Sequence, residues 1–350
     1  MQDSRFKFQN EDLGAAKRGF KMGGGHFRPA FSILNLSFCN LNLELFLVSV
    51  LLLAAPRTLF ADDSPKYAER GITAYRAGKY ELARMFFAKS LQDAVLKGKE
   101  EWIAKATLNL ADLELEAGDE DEAGRLLETM PVRDPALRPL WQWKRSQLAY
   151  AKRRPERALE LIDSALRAGR GDAARDLAMR GDRLRYLIQG KEASAWEPDL
   201  EAWRKQAGKR KAAPVEALAA MARRDYGRAD TLWRAARDAY REQGRLAKVA
   251  GCLNQSAVCL FNLGRREEAL EANGRAVAIF AELGLEMPGL KAQALRLLLV
   301  EEGPQLAKLR QDMDLVGQRF SGFDLQGILD EYSQSLRGGR GPGGAIGPYR

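Results

Sequence analysis

The chain has 350 residues, of which 46% are hydrophobic, and this is enough to bury a substantial core. Its 56 basic and 47 acidic side chains are interspersed, so the formal net charge of +9 indicates a solvated surface and not the concentrated basic patch of a nucleic-acid-binding protein. The only histidine is His26, which excludes histidine-based catalytic triads and metal sites from the rest of the chain.

The N-terminal region contains an uncharged apolar run, Leu45–Ala55. Its length is too short to span a bilayer comfortably, which takes about 20 residues, but it suits the apolar region of a secretory signal peptide. Leu59 and Ala61 fit the two specificity positions before a cleavage site. We therefore predict that residues 1–61 are a signal peptide cleaved after Ala61, and that the protein is periplasmic or secreted.

Two features of this region leave alternatives open. The stretch before the apolar run is long for a signal peptide, and Glu44 lies directly beside the run. A start codon assigned too early, with Met22 as the alternative, would explain the length. An uncleaved membrane anchor is a second possibility, and only this one would keep the protein at a membrane. A chain that is not exported is the third.

A short pattern recurs along the rest of the chain: a glycine, a small residue five positions later and a packing residue four positions beyond that. It occurs as Gly78, Ala83 and Phe87, as Gly118, Ala123 and Leu127, and as Gly264, Ala269 and Asn273. The glycine accepts a positive φ and ends one helix, and the alanine lets the next helix approach closely. A further small residue lies seven positions before each glycine, at Gly71, Ala111 and Ala257. Helical hairpins are therefore predicted.

These hairpins resemble the tetratricopeptide repeat, a helix–turn–helix unit of about 34 residues. Two weaker copies follow the turns Arg153–Pro155 and Arg224–Asp225, which lack the glycine. The five marker alanines lie at Ala83, Ala123, Ala158, Ala229 and Ala269, so the steps are 40, 35, 71 and 40 residues. The step of 71 predicts one degenerate hairpin near 172–209. The steps of 40 predict helices about a turn and a half longer than in the family.

The resemblance implies an all-α fold, a right-handed α-solenoid of tetratricopeptide-type hairpins. We expect about six hairpins over residues 62–283. Helices at Gly289–Leu299, Gln305–Gln318 and Leu325–Leu336 would then serve as capping helices over residues 284–336, because a stacked array needs its open end covered. Residues 337–350 are rich in glycine and arginine and are expected to be a disordered tail.

In tetratricopeptide arrays the first helices of successive repeats line a concave groove. Carried over residue by residue, the resemblance assigns eight aromatic and aliphatic side chains to this groove: Tyr75, Leu108, Trp143, Tyr150, Leu218, Met221, Val258 and Phe261. Such a groove suits an extended peptide or an amphipathic helix of a partner protein, with Trp143 and Tyr150 as the expected anchors. The family's lysine and asparagine clamp for a C-terminal carboxylate is not reproduced, because Ala68 and Ile72 stand at those positions.

Chemistry-bearing residues are sparse in the predicted mature chain. Cys252 and Cys259 lie seven residues apart on one predicted helix, about 10 Å, whereas a disulfide needs Cα atoms within about 7 Å. They are therefore interpreted as small core residues. Glu114, Glu116, Glu120 and Glu122 are expected on a solvated helix face and turn. We predict no metal, no cofactor, no small-molecule substrate and no enzymatic activity.

The favoured hypothesis is thus a non-enzymatic scaffold for protein–protein interaction in the periplasm or cell envelope. The alternative is an intracellular regulator that contacts nucleic acid through its basic surface and its tail. The basic runs Lys152–Arg154 and Lys209–Lys211 are predicted in a turn and a loop, so neither builds a basic helix face. A third hypothesis, an envelope enzyme that uses carboxylates, requires an acidic group with a raised pKa in a cleft.

Overall fold

The computed structural model describes residues 63–129, 134–169, 172–190, 193–300, 304–318 and 324–337. The predicted signal peptide with its cleavage site after Ala61 lies outside the described residues, and so does the tail from residue 338 onward. The described residues form helices without any strand. No helix among them is long and apolar enough to cross a membrane.

Fourteen α-helices and one short 3₁₀-helix, Ala193–Ala195, make up the described part of the chain. In chain order the α-helices are α1 (Ser64–Arg76), α2 (Tyr80–Leu96), α3 (Glu100–Ala117), α4 (Glu120–Thr129), α5 (Arg138–Ala151), α6 (Pro155–Ala168), α7 (Ala173–Gly190), α8 (Glu197–Ala222), α9 (Tyr226–Glu242), α10 (Leu246–Asn262), α11 (Arg266–Glu282), α12 (Glu286–Leu299), α13 (Pro304–Gly317) and α14 (Leu325–Arg337). Consecutive helices pack against each other, which is consistent with an α-solenoid.

The turns between helices have the backbone that the sequence pattern predicts. Gly78, Gly118 and Gly264 have φ of 71°, 80° and 75°, in the left-handed region where glycine carries no steric penalty. Helices α2, α9, α10 and α11 each have 17 residues, and three-residue turns separate α9, α10, α11 and α12. A helix and its turn therefore occupy 20 residues, which accounts for the spacing of 40 per hairpin.

The two turns without glycine adopt the same conformation with an arginine. Arg153 has φ of 56° and Arg224 has φ of 61°. For a residue with a Cβ this conformation costs about 1 kcal/mol or more. The weaker repeats therefore keep the geometry of the hairpin turn at an energetic cost that the glycine-containing repeats avoid.

Small residues lie where paired helices approach most closely. Ala111 and Ala257 are completely buried. At Gly71 in α1 there is no room for any side chain, since an added Cβ would lie 2.5 Å from Cδ1 of Phe87 in α2. The small residue that the sequence pattern singled out is thus required by close helix packing.

The segment near 172–209, where a degenerate hairpin is predicted, contains α7 and the first part of α8. Gly208, with φ of 73° and ψ of 158°, interrupts the helical backbone inside α8. Trp196 and Trp203 are buried here, and the indole N–H of Trp203 donates to the carbonyl of Leu177 at 2.8 Å. The basic run Lys209–Lys211 lies in helix directly after the break, so its prediction as a loop is wrong.

One hydrophobic core joins the first helices to much later ones. Phe87 of α2 and Leu113 of α3 belong to the same buried cluster as Leu253 of α10 and Phe280 of α11. The α3–α4 turn also touches α12, because a Cβ on Gly118 would lie 2.9 Å from Met287. The stack of hairpins therefore turns back on itself, and its early and late parts stabilise each other.

Replacing Gly71 by alanine should destabilise the protein by about 1–3 kcal/mol, because the new methyl group must displace the buried ring of Phe87. Thermal or urea unfolding followed by circular dichroism measures the change. Gly227→Ala in α9 is the matched control, since no atom lies within 4 Å of its added Cβ and alanine favours helix. Equal effects of the two substitutions would show that close packing at Gly71 is not the constraint.

Candidate functional site

The eight side chains predicted to line the concave groove are all at least partly buried. Leu108 and Val258 are closed off, with 7% and 1% of their surface exposed. The other six are intermediate in exposure. The residues fall into three places, and each place has its own contacts with the rest of the chain.

Tyr75 and Leu108 contact the main core near the start of the array. The hydroxyl of Tyr75 donates a hydrogen bond to Glu116, and its ring meets that of Tyr80 edge-on at 5.7 Å. Burial raises the pKa of Tyr75, and the charge of Glu116 raises it further, so the phenol stays neutral. Glu116 is also paired with Lys248 at 3.3 Å.

Trp143 and Tyr150, the predicted anchors, lie on α5 beside α7. The indole N–H of Trp143 donates to a carboxylate oxygen of Asp182 at 2.8 Å. The ring of Tyr150 packs on that of Tyr186 with their centroids 4.5 Å apart. The polar group of Trp143 is therefore satisfied within the chain, and both rings are held in fixed positions.

The remaining residues lie on α8 and α10. Leu218 is packed between two apolar clusters. The sulfur of Met221 accepts a hydrogen bond from the indole of Trp233 at 3.3 Å. Met221 and Phe261 are partly buried against the cluster that contains Val258. We call the surface formed by Met221, Asn254, Val258, Phe261 and Asn262 the terminal groove.

Helix α14 lies on the terminal groove. Its Tyr332 and Leu336 belong to the same apolar cluster as Met221, Val258 and Phe261, and Leu336 is 6% exposed. The preceding turn of α14 buries Ile328 and Leu329 against α12 and α13. A helix of the chain itself thus occupies a surface that the sequence assigns to a partner.

Amide side chains of the terminal groove bind polar atoms of α14. Asn254 donates to the hydroxyl of Tyr332 at 2.9 Å, and Asn262 donates to the carbonyl of Ser335 at 3.1 Å. Asn273 is completely buried and donates to the side-chain oxygen of Asn254 at 3.0 Å. Because its oxygen is occupied in this way, Asn254 presents its amino group to α14.

An ion pair also joins α14 to the turn that follows α5. Glu331 forms an ion pair of 3.0 Å with Arg153 in the turn after α5. Burial raises the pKa of Tyr150, and the charge of Glu331 contributes in the same direction. Both partners of the ion pair are more than half exposed, so the pair contributes little to stability. The pair does show that the turn after α5 lies near α14, which packs on α10 and α12.

Burial also keeps the phenol of Tyr332 protonated. It raises the pKa of Tyr332 to about 12, and the hydrogen bond from Asn254 only partly opposes this. The hydroxyl therefore stays protonated throughout the physiological range. It accepts from Asn254 and keeps its own proton for a further hydrogen bond.

Glu114 and Glu116 of α3 are not fully solvated as expected. Glu114 is 3% exposed, and both its oxygens accept hydrogen bonds from the guanidinium of Arg84, at 2.6 and 2.8 Å. The expectation is therefore wrong for Glu114, and partly so for Glu116. Among the described residues no group of three or more His, Cys, Asp or Glu side chains is arranged to hold a metal ion.

Sequence reasoning assigned the groove side chains and left open whether the C-terminal helices fill the groove. The signal was present in α14, where Leu325, Ile328, Leu329, Tyr332 and Leu336 follow the spacing of an amphipathic helix. That is one of the ligand types proposed for the groove. The structure decides between the two alternatives at the terminal groove, where α14 packs on Val258 and Phe261.

The two cysteines of α10 should be unreactive in the folded protein. Cys252 and Cys259 are free and buried, and burial raises the pKa of each thiol to about 12. At pH 8 almost no thiolate is therefore present to react. Iodoacetamide labelling with peptide-resolved mass spectrometry should give rapid modification only after unfolding. The control is Ala88→Cys, which introduces a thiol at an exposed position. If Cys252 in the folded protein were labelled as fast as this thiol, Cys252 would not be buried.

No protein-family model matches the chain, and no match is found among curated proteins. The resemblance to tetratricopeptide repeats therefore rests on the repeat pattern itself.

Proposed function

We propose that this protein is a non-enzymatic scaffold whose concave face binds an amphipathic helix of a partner protein. The observation that carries the proposal is α14 itself, which is held on the terminal groove by Val258, Phe261 and Asn254. A surface that holds one amphipathic helix through alternating apolar and amide contacts has the chemistry to hold another. On this proposal α14 is an internal occupant that a partner helix replaces.

We also propose that the hairpins form a right-handed array of the tetratricopeptide type, with helices of the 284–336 region as its cap. Support comes from the small residues at the helix crossings and from the turns with positive φ, at 20-residue spacing in the late hairpins. The protein would work in the periplasm or cell envelope, after cleavage at Ala61.

Recognition would use three kinds of contact. Apolar side chains four positions apart, as in Tyr332 and Leu336, pack on Val258 and Phe261. Asn254 binds a polar group on the helix side chain. Asn262 binds a carbonyl near the C-terminal end of the helix, where the last four carbonyls lack a partner within the helix. The terminal groove would thus prefer a helix with apolar residues four positions apart and with its C-terminal end close to Asn262.

The nucleic-acid alternative gains no support from the basic runs. Lys152 is paired with Asp121 at 3.2 Å, Arg153 with Glu331 and Arg210 with Glu242 at 2.6 Å. These cations are thus engaged with acidic side chains of the same chain. No contact among the described residues favours a phosphate backbone over a protein partner.

A labelled peptide of residues 324–337 tests whether the terminal groove binds helices. It should bind the unaltered chain weakly, because the internal copy occupies the site at high effective concentration. In the Tyr332→Ala/Leu336→Ala chain, whose own helix is weakened, the affinity should rise by about tenfold or more. Fluorescence anisotropy measures both values.

Adding Phe261→Ala to the Tyr332→Ala/Leu336→Ala chain should abolish the increase in peptide affinity, because it removes an apolar contact of the groove. Leu315→Ala, at an exposed position of α13, is the control and should leave the affinity unchanged. Equal binding by the Phe261→Ala chain and its control would reject the terminal groove as a helix-binding site.

Trp143 and Tyr150 remain predicted anchors for a longer partner helix that extends past α5. Replacing both by alanine should weaken binding of a captured partner by roughly thirtyfold, the scale of about 2 kcal/mol for an aromatic hot spot. Calorimetric titration gives the affinity, and circular dichroism checks that the array is still folded. Unchanged affinity in the folded variant would limit the site to the terminal groove.

A further inference from the structure

The first hairpin has an apolar face that no described helix covers. Leu82, Met85 and Leu96 of α2 are 38%, 41% and 59% exposed, and Phe86 beside them is partly buried. At 100° per residue these four side chains share one stripe of the helix. The opposite stripe of α2, which includes Phe87, is buried against α1 and α3. We call the exposed stripe, together with the facing side of α1, the first-hairpin face.

This face contains a groove between α1 and α2 of about 490 Å³. Ala74, Ala77, Leu82 and Phe86 supply its apolar lining. The guanidinium of Arg70 lies over the ring of Phe86, 6.0 Å from its centroid. The groove thus combines apolar side chains of both helices with a cation held over the ring of Phe86.

The edges of the groove are basic. Lys66, Arg70 and Lys79 line it, against a single acid, Glu69. Lys66 is paired with Asp63 at 2.9 Å. Lys89 lies on the same exposed stripe of α2. A ligand that covered the apolar residues would therefore meet mainly positive charge at its sides.

The end of a helical solenoid normally carries a polar outer face, because apolar residues there would be exposed to water. The first-hairpin face departs from this rule at Leu82, Met85 and Leu96, which are distributed along about 21 Å or four turns of α2. An exposed apolar patch of this kind, rimmed by charged residues, is typical of a protein interaction site. Its length and its groove fit a helix packed alongside α1 and α2.

We propose that the first-hairpin face binds an amphipathic helix of another protein whose apolar stripe is flanked by acidic residues. The acidic flanks would pair with Arg70 and Lys79, while the apolar stripe would cover Leu82, Met85 and Phe86. A second copy of this chain fits less well, because a symmetric contact would bring the same basic edges together. The site shares no residue with the terminal groove, so it is a second, independent interaction surface.

Two designed helical peptides of about 16 residues test the proposal with the full chain. Both carry leucine at the spacing of one helical face, and the remaining positions are glutamate in one peptide and lysine in the other. Methyl NMR spectra of the leucine- and methionine-labelled protein report where each peptide binds. We expect the glutamate peptide to shift Leu82, Met85 and Leu96, and to bind about fivefold tighter than the lysine peptide, the scale of two exposed ion pairs.

Charge reversal gives the sharper comparison. In the Arg70→Glu/Lys79→Glu chain the preference should invert, so that the lysine peptide binds more tightly. Arg167→Glu/Arg228→Glu changes the net charge by the same amount at exposed positions elsewhere, and should keep the original preference. An inversion in both variants would mean that overall charge and not this face decides the binding.

Three other results would overturn the proposal. One is that neither peptide binds at millimolar concentration or that both bind equally. Another is that the shifts appear at the terminal groove, around Val258 and Met221, and not at α2. The third is that sedimentation shows a dimer which Leu82→Glu dissociates, since the face would then serve self-association.

Discussion

The structure depends on close approach of paired helices at positions where only a small side chain fits. Gly71 shows the constraint most directly, because any Cβ there would enter the ring of Phe87. The turn that follows each first helix must pass through positive φ, which glycine adopts freely and Arg153 and Arg224 adopt at a cost. Once these two local conditions are met, each hairpin presents an apolar surface that only the next hairpin can cover. The solenoid follows from this repeated need for a neighbour.

The array then covers part of its own surface. Its early and late helices share one core, in which Phe87 and Leu113 pack with Leu253 and Phe280. Helix α14 fills the space beside α10, where Asn254 and Asn262 bind its polar atoms. Coverage of this kind has two effects in protein interactions: it protects apolar groove residues from water, and it sets the affinity that a competing helix must exceed. The closed groove and the uncovered first-hairpin face are therefore different kinds of surface.

Amide side chains supply the polar contacts of the terminal groove. The buried Asn273 orients Asn254 by donating to its side-chain oxygen, which leaves the amino group directed at α14. Neutral donors of this type can bind hydroxyls and carbonyls without the desolvation cost of a buried charge. The absence of the lysine and asparagine clamp at Ala68 and Ile72 agrees with this chemistry. On the proposed function, the terminal groove would take the side and end of a helix rather than a free carboxylate.

The sequence by itself determined the local structure. Glycine and alanine spacing predicted the hairpins, the positive φ at Gly78, Gly118 and Gly264, and the longer helices, because these depend on backbone sterics and on residues near in sequence. Tertiary structure decided which surfaces are open. Glu114 is buried against Arg84, 30 positions away in sequence, and Tyr332 of α14 binds Asn254, 78 positions away. Such contacts depend on how the hairpins stack, and a pattern of 40 residues carries no information about where the array returns to meet itself.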